Sequence, residues 1–394
     1  MSDSPINKEN WAVKALRALT ALHAHFYVGQ PDKYVERLLN TLPAPDFQPR
    51  GLEVFLKSHI SGLAGPMVLE RVGGGQSNPT YFVSFDNRRM VLRKKPAGEL
   101  LPLAHAVDRE HRVLTAMGKA GIAVPATVLY HDEPDIVGTP FYIMDRVDGR
   151  IFHDSHLPGA PRGQRREMYL SVARLLARIH QVDIDAAGLA DFGKPGNFLK
   201  RQISRWRRQW ELSKTRDIPA VDRLIDWLSR NTPDDDRSVV VHGDFRFGNL
   251  MFHPVEPHVV AALDWELSTL GDPLADLAHT CMFTWFVTPE EYGGTLGLDM
   301  TAHGLPNLDD FVGAYREVAG DQGVLGVFHI VLALFRNAII FEGIAARAKA
   351  GNASSDNAAA VGALASRFAG RADSLISAAT LQEALDIAKR SFPG

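Results

Sequence analysis

Two short apolar runs, each ending on an acidic side chain, limit this chain more than any other feature. Val239-Val240-Val241 leads into His242-Gly243-Asp244, with Asn249 five residues later, and Val259 to Leu263 delivers Asp264-Trp265-Glu266. β-Branched runs bounded by glycine read as short strands, so His242 to Asn249 forms a tight loop and Asp264 stands at the end of its own strand. Carboxylates placed at strand ends are easily brought together. A hydroxyl attacking a terminal phosphate needs an oriented carboxylate at its proton, and magnesium takes oxygen ligands from a second carboxylate and an amide. Asp244 suits the first task, and Asn249 and Asp264 suit the second. The plainer alternative is that His242-Gly243-Asp244 is only a turn and Asp264 caps a helix. Order, spacing and strand context together favour phosphoryl transfer from a nucleotide.

Upstream, Met67 to Val72 leads into Gly73-Gly74-Gly75-Gln76-Ser77-Asn78, and Tyr81 to Phe85 then hairpins through Asp86-Asn87 into Met90 to Lys95. Glycines between strands let backbone N–H groups approach phosphates closely, which makes Gly74, Gly75, Gln76 and Ser77 candidate nucleotide contacts. Strand alternation puts Val91 and Arg93 on one face, with Leu92 and Lys94 on the other. A helix expected over about 105–119 carries Ala106, Val107, Val113, Leu114 and Met117 on one face, with Glu110 among them. An inward carboxylate needs a cationic partner, because an unpaired buried charge costs several kcal/mol. Arg93 is the available candidate. A solvent-facing Arg93-Lys94-Lys95 run is the competing reading.

These residues resemble the aminoglycoside phosphotransferase-like branch of the protein-kinase-like superfamily. The kinase pattern H-R-D-x-x-x-x-N becomes His242-Gly243-Asp244 with Asn249, and D-F-G becomes Asp264-Trp265-Glu266. Gly for Arg and Glu for Gly depart from ordinary protein kinases and match the small-molecule branch. The resemblance implies an α+β, bilobal protein-kinase-like fold, with a small antiparallel-sheet N-lobe and a larger helical C-lobe. It further implies ATP or GTP as co-substrate, Mg2+ on Asn249 and Asp264, and Asp244 as catalytic base. Arg93 falls at the phosphate-binding lysine of V-A-I-K, with Lys94 and Lys95 as neighbouring alternatives, and Glu110 orients it. The strand Phe141 to Met144 leads into the inter-lobe hinge, where backbone groups around Met144, Asp145 and Val147 are expected to meet the base.

Within that branch, Gly74 to Tyr81, Val91 to Pro96 and Ala106 to Glu110 look like the phosphotransferase domain associated with acyl-CoA dehydrogenases, over about residues 52–350. The implied partner is a small-molecule hydroxyl acceptor, a hydroxyacyl-CoA or hydroxy acid phosphorylated to prepare elimination. Three other readings stay open: a nucleotide-binding pseudokinase serving regulation or assembly, an aminoglycoside or choline-like small-alcohol kinase, and a magnesium-dependent phosphoesterase. A pseudokinase would more naturally lack one of Asp244, Asn249 or Asp264. A phosphoesterase has no need of the glycine-rich loop, Arg93 and Glu110.

At 394 residues the chain exceeds one small core, so the expected organisation is an N-terminal helical extension over 1–66, an N-lobe over 67–147 and a C-lobe over 148–394. Helices are expected at Trp11 to Tyr27, Tyr34 to Leu42 and Leu52 to His59, with packing or a homodimer contact as roles for the extension. Forty-three basic and 46 acidic residues leave a net charge of −3, which calls for neither nucleic acid nor an anionic membrane and leaves a local basic pocket open. The polar start Met1-Ser2-Asp3-Ser4-Pro5 and the lone Cys281 fit a cytoplasmic setting, with Cys281 as a buried structural thiol. Val324 to Ile344 is apolar but broken by His329, Arg336 and Asn337, as in a buried core helix. Further helices are expected at Arg165 to Gln181, Lys200 to Glu211, Leu308 to Ala319, Val324 to Lys349 and Asn357 to Ala388. Asp272-Pro273 reads as a helix start, with Asp276 in its first turn bracing the catalytic loop. Asp234-Asp235-Asp236 reads most simply as a solvated turn, with cation binding as the alternative.

Overall fold

Period-two alternation buries Tyr81, Val83 and Phe85 from one strand, and Met90 and Leu92 from the next, in a common core. The computed structural model describes residues 45–72, 78–98, 106–234, 237–350 and 358–391. The expected phosphate loop with Gly74, Gly75, Gln76 and Ser77 lies outside the described residues, as do the helices expected at Trp11 to Tyr27 and Tyr34 to Leu42. The chain divides into two compact units, one holding the described residues up to Arg112 with Ala126–Arg146, the other Val113–Pro125 with Val147 onward.

The first unit is built on a five-stranded antiparallel sheet of β1 (Val68–Arg71), β2 (Thr80–Phe85), β3 (Arg88–Lys94), β4 (Thr127–His131) and β5 (Phe141–Asp145), ordered β1-β2-β3-β5-β4. Helix α1 (Pro49–His59) starts at a proline, whose missing N–H is no loss at that position, and packs Leu52 and Leu56 with Ile60 into the sheet's core. The segment expected as the end of an extension therefore contributes to the core of this unit. Lys94 shares the pleat face of Met90 and Leu92 and is buried; its Nζ lies 2.8 Å from Asp46 and donates to the Val137 carbonyl at 2.7 Å. Helix α2 (Val107–Lys119) buries Val107, Glu110, Val113, Leu114 and Met117, as its periodicity requires.

In the second unit, three short strands pair as β6 (Arg150–Ile151), β8 (Leu250–Phe252) and β9 (Val259–Ala262), and β7 (Val239–Val241) pairs with β10 (Thr269–Gly271). The remainder is helical: α3 (Arg162–His180), α4 (Phe198–Ser213), α5 (Pro219–Arg230), α6 (Pro273–Trp285), α7 (Leu308–Ala319), α8 (Val327–Lys349), α9 (Ala358–Leu375) and α10 (Leu381–Ser391). By length and composition α8 could cross a bilayer, yet nearly every side chain from Val327 to Gly343 is buried within this unit, so it is a core helix. Cys281 is buried on α6, where desolvation pushes its thiol pKa well up and makes it inert.

One helix was expected over Asn357 to Ala388, and two are present. Thr380 Oγ1 accepts from Glu383 N–H at 3.1 Å while the Glu383 carboxylate reaches back to Ala379 N–H at 2.8 Å, a reciprocal cap that starts α10 afresh.

Candidate active site

Gly243 fixes the turn after β7. Its φ is +83°, and a Cβ there would stand 2.6 Å from the Leu267 carbonyl oxygen, so a side chain meets both a strained backbone and a backbone clash. His242, fully buried, donates through Nε2 to the Leu263 carbonyl at 2.9 Å and accepts the Asp244 N–H on Nδ1 at 3.3 Å. These two contacts orient its ring and tie the loop to the end of β9. The loop's N–H groups converge on Asp276 of α6: His242 N–H donates to its Oδ2 at 2.7 Å and Gly243 N–H to its Oδ1 at 2.9 Å. His180 approaches Asp276 Oδ2 at 3.3 Å and pairs through Nδ1 with Tyr315 at 2.7 Å. Burial works to raise the Asp276 pKa, but His180, His242 and these hydrogen bonds outweigh it and hold the carboxyl ionised. Asp276 braces the loop, as its place in the first turn of α6 suggested. Asp272 caps that helix by accepting the Ala275 N–H at 2.8 Å.

Asp244 sits at the loop's centre with both oxygens engaged. Oδ1 accepts from His279 Nε2 at 2.8 Å, and Oδ2 accepts from Asn249 Nδ2 at 2.8 Å. Arg246 Nε lies 3.4 Å away. Desolvation alone would raise the Asp244 pKa; the His279 hydrogen bond and the cations Arg246 and Arg336 reverse that and hold it well below the usual carboxylate range. Arg336, from the middle of apolar α8, donates to the Gly243 carbonyl at 2.7 Å. His279 is buried, and that burial lowers its pKa against the opposing pull of Asp244.

Asn249 and Asp264 are brought together by the β8–β9 hairpin. Leu250 pairs with Ala262, and the Leu263 N–H donates to the Asn249 carbonyl at 2.8 Å, which sets the residues before β8 and after β9 side by side. Asn249 Nδ2 is spent on the Asp244 carboxylate and carbonyl, so its Oδ1 is the atom with metal-ligating character. Asp264 has φ +63° and ψ +62°, a left-handed conformation that costs a non-glycine residue about 1 kcal/mol or more and is concentrated at functional positions. One carboxylate and one carboxamide oxygen make a hard, oxygen-only donor set of the kind magnesium takes when phosphates complete its shell.

In the first unit, Glu110 Oε2 lies 3.0 Å from Arg93 Nε, with the carboxylate almost wholly buried. This is the pair the helical face of Glu110 demanded. Lys94 is committed to Asp46 and Val137, which removes it as an alternative to Arg93. In the expected hinge, Met144 pairs with Val91 in the sheet. The Asp145 N–H donates to Ala126 O at 2.8 Å and the Arg146 N–H to Arg89 O at 3.0 Å, so these two donors serve the sheet. The Asp145 side chain pairs with Arg88 at 2.9 Å, and Val147 opens the second unit.

The model of the phosphotransferase enzyme family matches residues 68–310. The chain belongs to that family. Mouse acyl-CoA dehydrogenase family member 10 is 38% identical over 91% of this chain, and the chain spans about a third of that relative's length (33%). A solved Ralstonia eutropha structure, assigned as an aminoglycoside phosphotransferase, is 37% identical, with a TM-score of 0.75 over 87% of this chain and 99% of its own. An aminoglycoside phosphotransferase solved with AMP-PNP and hygromycin B has a TM-score of 0.56 at 15% identity, over 84% of this chain and 99% of its own, a likeness of fold. The α+β, protein-kinase-like fold of the aminoglycoside phosphotransferases is thus the fold of this phosphotransferase.

His279, Arg336 and His180 were not singled out from the sequence as site residues. His279 stands one turn beyond Asp276 on α6, and Arg336 interrupts an otherwise apolar helix; both patterns are visible once a loop is known to need partners.

Proposed function

We propose that this phosphotransferase is a small-molecule kinase that moves the terminal phosphate of ATP to a hydroxyl, with a hydroxyacyl-CoA or hydroxy acid as acceptor. The observation that carries the reading is Asp244, kept ionised and aimed by His279 and Asn249 on a loop whose backbone Asp276 fixes. The acceptor oxygen bonds to the γ-phosphorus as that phosphorus parts from the bridging oxygen of the departing nucleotide, and the hydroxyl proton passes to Asp244 and then to solvent. With so low a pKa, Asp244 contributes by orientation more than by basicity; positioning in favourable cases supplies roughly 7–11 kcal/mol. Asn249 Oδ1 and the Asp264 carboxylate are the atoms that would hold magnesium, which when bound neutralises phosphate oxygens. In the first unit, Arg93 steadied by Glu110 is the phosphate-binding cation.

ATP as donor is supported by the AMP-PNP held by the neighbouring fold. The acyl-CoA-linked acceptor is supported by relatives named as acyl-CoA dehydrogenase family members. The pseudokinase reading is disfavoured because Asp244, Asn249 and Asp264 are all present. Incubation of γ-labelled ATP with hydroxyacyl-CoAs, free hydroxy acids, small alcohols and aminoglycosides, reading product mass, tests the reading. A phosphorylated hydroxyacyl-CoA or hydroxy acid is expected. ATP consumed to inorganic phosphate alone, or nucleotide bound with no product from any acceptor, contradicts it.

A further inference from the structure

Helix α4 has two faces of different chemistry. Phe198, Gln202 and Trp206, spaced four apart, line a cavity of about 40 Å3 with Gly243, His279 and Arg336, beside the catalytic loop. An adjoining face lines an open groove of about 670 Å3 with Lys200, Arg201, Arg205, Arg208 and Leu212, joined by Lys194 from the preceding loop. Residues of α4 supply five basic groups, Lys200, Arg201, Arg205, Arg207 and Arg208, against Glu211 alone, in a chain of net charge −3.

Arg201 and Arg205 stand four apart, and Arg205 and Arg208 three apart, spacings at which like charges destabilise a helix. Among the described residues, Lys200 has the exposed Asp234 at 3.7 Å and Arg207 has Glu211 at 3.1 Å, while Arg205 and Arg208 have no carboxylate partner. Arg201 is tethered to the carbonyls of Lys194 and Pro195. The groove is linked to the catalytic loop through one ring: Arg205 lies 5.3 Å and Arg336 5.7 Å from the Trp206 centroid, and Arg336 holds the Gly243 carbonyl next to Asp244.

We propose that this groove binds the phosphate-bearing end of the acceptor, the nucleotide diphosphate of a coenzyme A thioester, leaving the acyl hydroxyl as the end that reaches Asp244. This assignment rests on the kinase reading above. Arginine forks match phosphate oxygens bidentately and are weakly hydrated, so Arg205 and Arg208, without a carboxylate partner among the described residues, gain most from a polyanion. A polycationic aminoglycoside would be repelled by the same face.

The test is calorimetric titration of the full chain with coenzyme A itself, alongside dephospho-coenzyme A and at two salt concentrations. It is run on the native protein, on an Arg205→Glu, Arg208→Glu double variant checked for folding by circular dichroism, and on Arg230→Glu as an exposed control from α5. Coenzyme A should bind the native protein and the control alike, more weakly in high salt, with dephospho-coenzyme A weaker still. The double variant should lose affinity by about tenfold or more, and the KM for a hydroxyacyl-CoA should rise by a like factor. Absence of coenzyme A binding, equal binding by the double variant, or retention on anionic vesicles or nucleic acid instead would overturn the proposal. Groove-dependent binding without phosphorylation of any hydroxyl would uphold the groove and reject the kinase reading. Phosphorylation of free hydroxy acids without coenzyme A binding would do the reverse.

Discussion

Asp244 loses enough water contact that desolvation works to neutralise it, and three neighbours overrule that tendency. His279 is the nearest of the three, at 2.8 Å, and its Nε2–H donates to the carboxylate. With Asp244 as the proposed proton acceptor, activity is lost as pH falls through its pKa; because that pKa is depressed, the acid limb should lie below the ordinary aspartate value of about 3.9. Replacing His279 with alanine removes the largest lowering influence, so the acid limb of kcat/KM should move upward in pH. An acid limb in His279→Ala that coincides with the native one would show that His279 does not set the charge of Asp244. That Asp244, Asn249 and Asp264 come together was legible from residue type and spacing, since strand ends leave few ways to place them. His279 and Arg336 were not, because their roles depend on which helix faces the loop, and no local pattern records that.

At the scale of elements, α6 and the β7 loop are joined by a single carboxylate. Asp276 accepts two loop N–H groups and faces His180, all in the interior. Asp276→Asn should cost about 3 kcal/mol, since it removes a buried charge whose partners stay behind. The native Asp276 pKa is lowered, so its contribution is present above the unfolded carboxylate value of about 3.9 and fades as pH falls through the folded value. Urea unfolding followed from pH 7 to pH 3 should therefore show a shallower acid loss in Asp276→Asn than in the native chain; parallel curves would remove Asp276 from the brace. Helices with strong periodicity were readable: α7 has the expected bounds Leu308–Ala319, and α4 and α8 begin and end within three residues of expectation. The division between α9 and α10 was missed because alanine-rich sequence continues the helical pattern, while Thr380 and Glu383 supply the cap that interrupts it.

For the whole molecule, a net charge of −3 conceals a strongly basic helix, because a sum over the chain does not record where its charges gather. Ligands that bind only the folded state stabilise it by mass action, by about 2.7 kcal/mol at a hundredfold excess over Kd. ATP with magnesium should raise the melting temperature more than ATP alone, and Asp264→Asn should abolish the magnesium-dependent increment; an undiminished increment would exclude Asp264 as the ligand. The most direct test of the central claim is Asp244→Asn, measured for single-turnover phosphoryl transfer and for ATP affinity on the same preparation. Transfer should fall by about 10²–10⁴ with ATP affinity held. Transfer at the native rate would contradict the assignment of Asp244 and the phosphoryl-transfer site built around it.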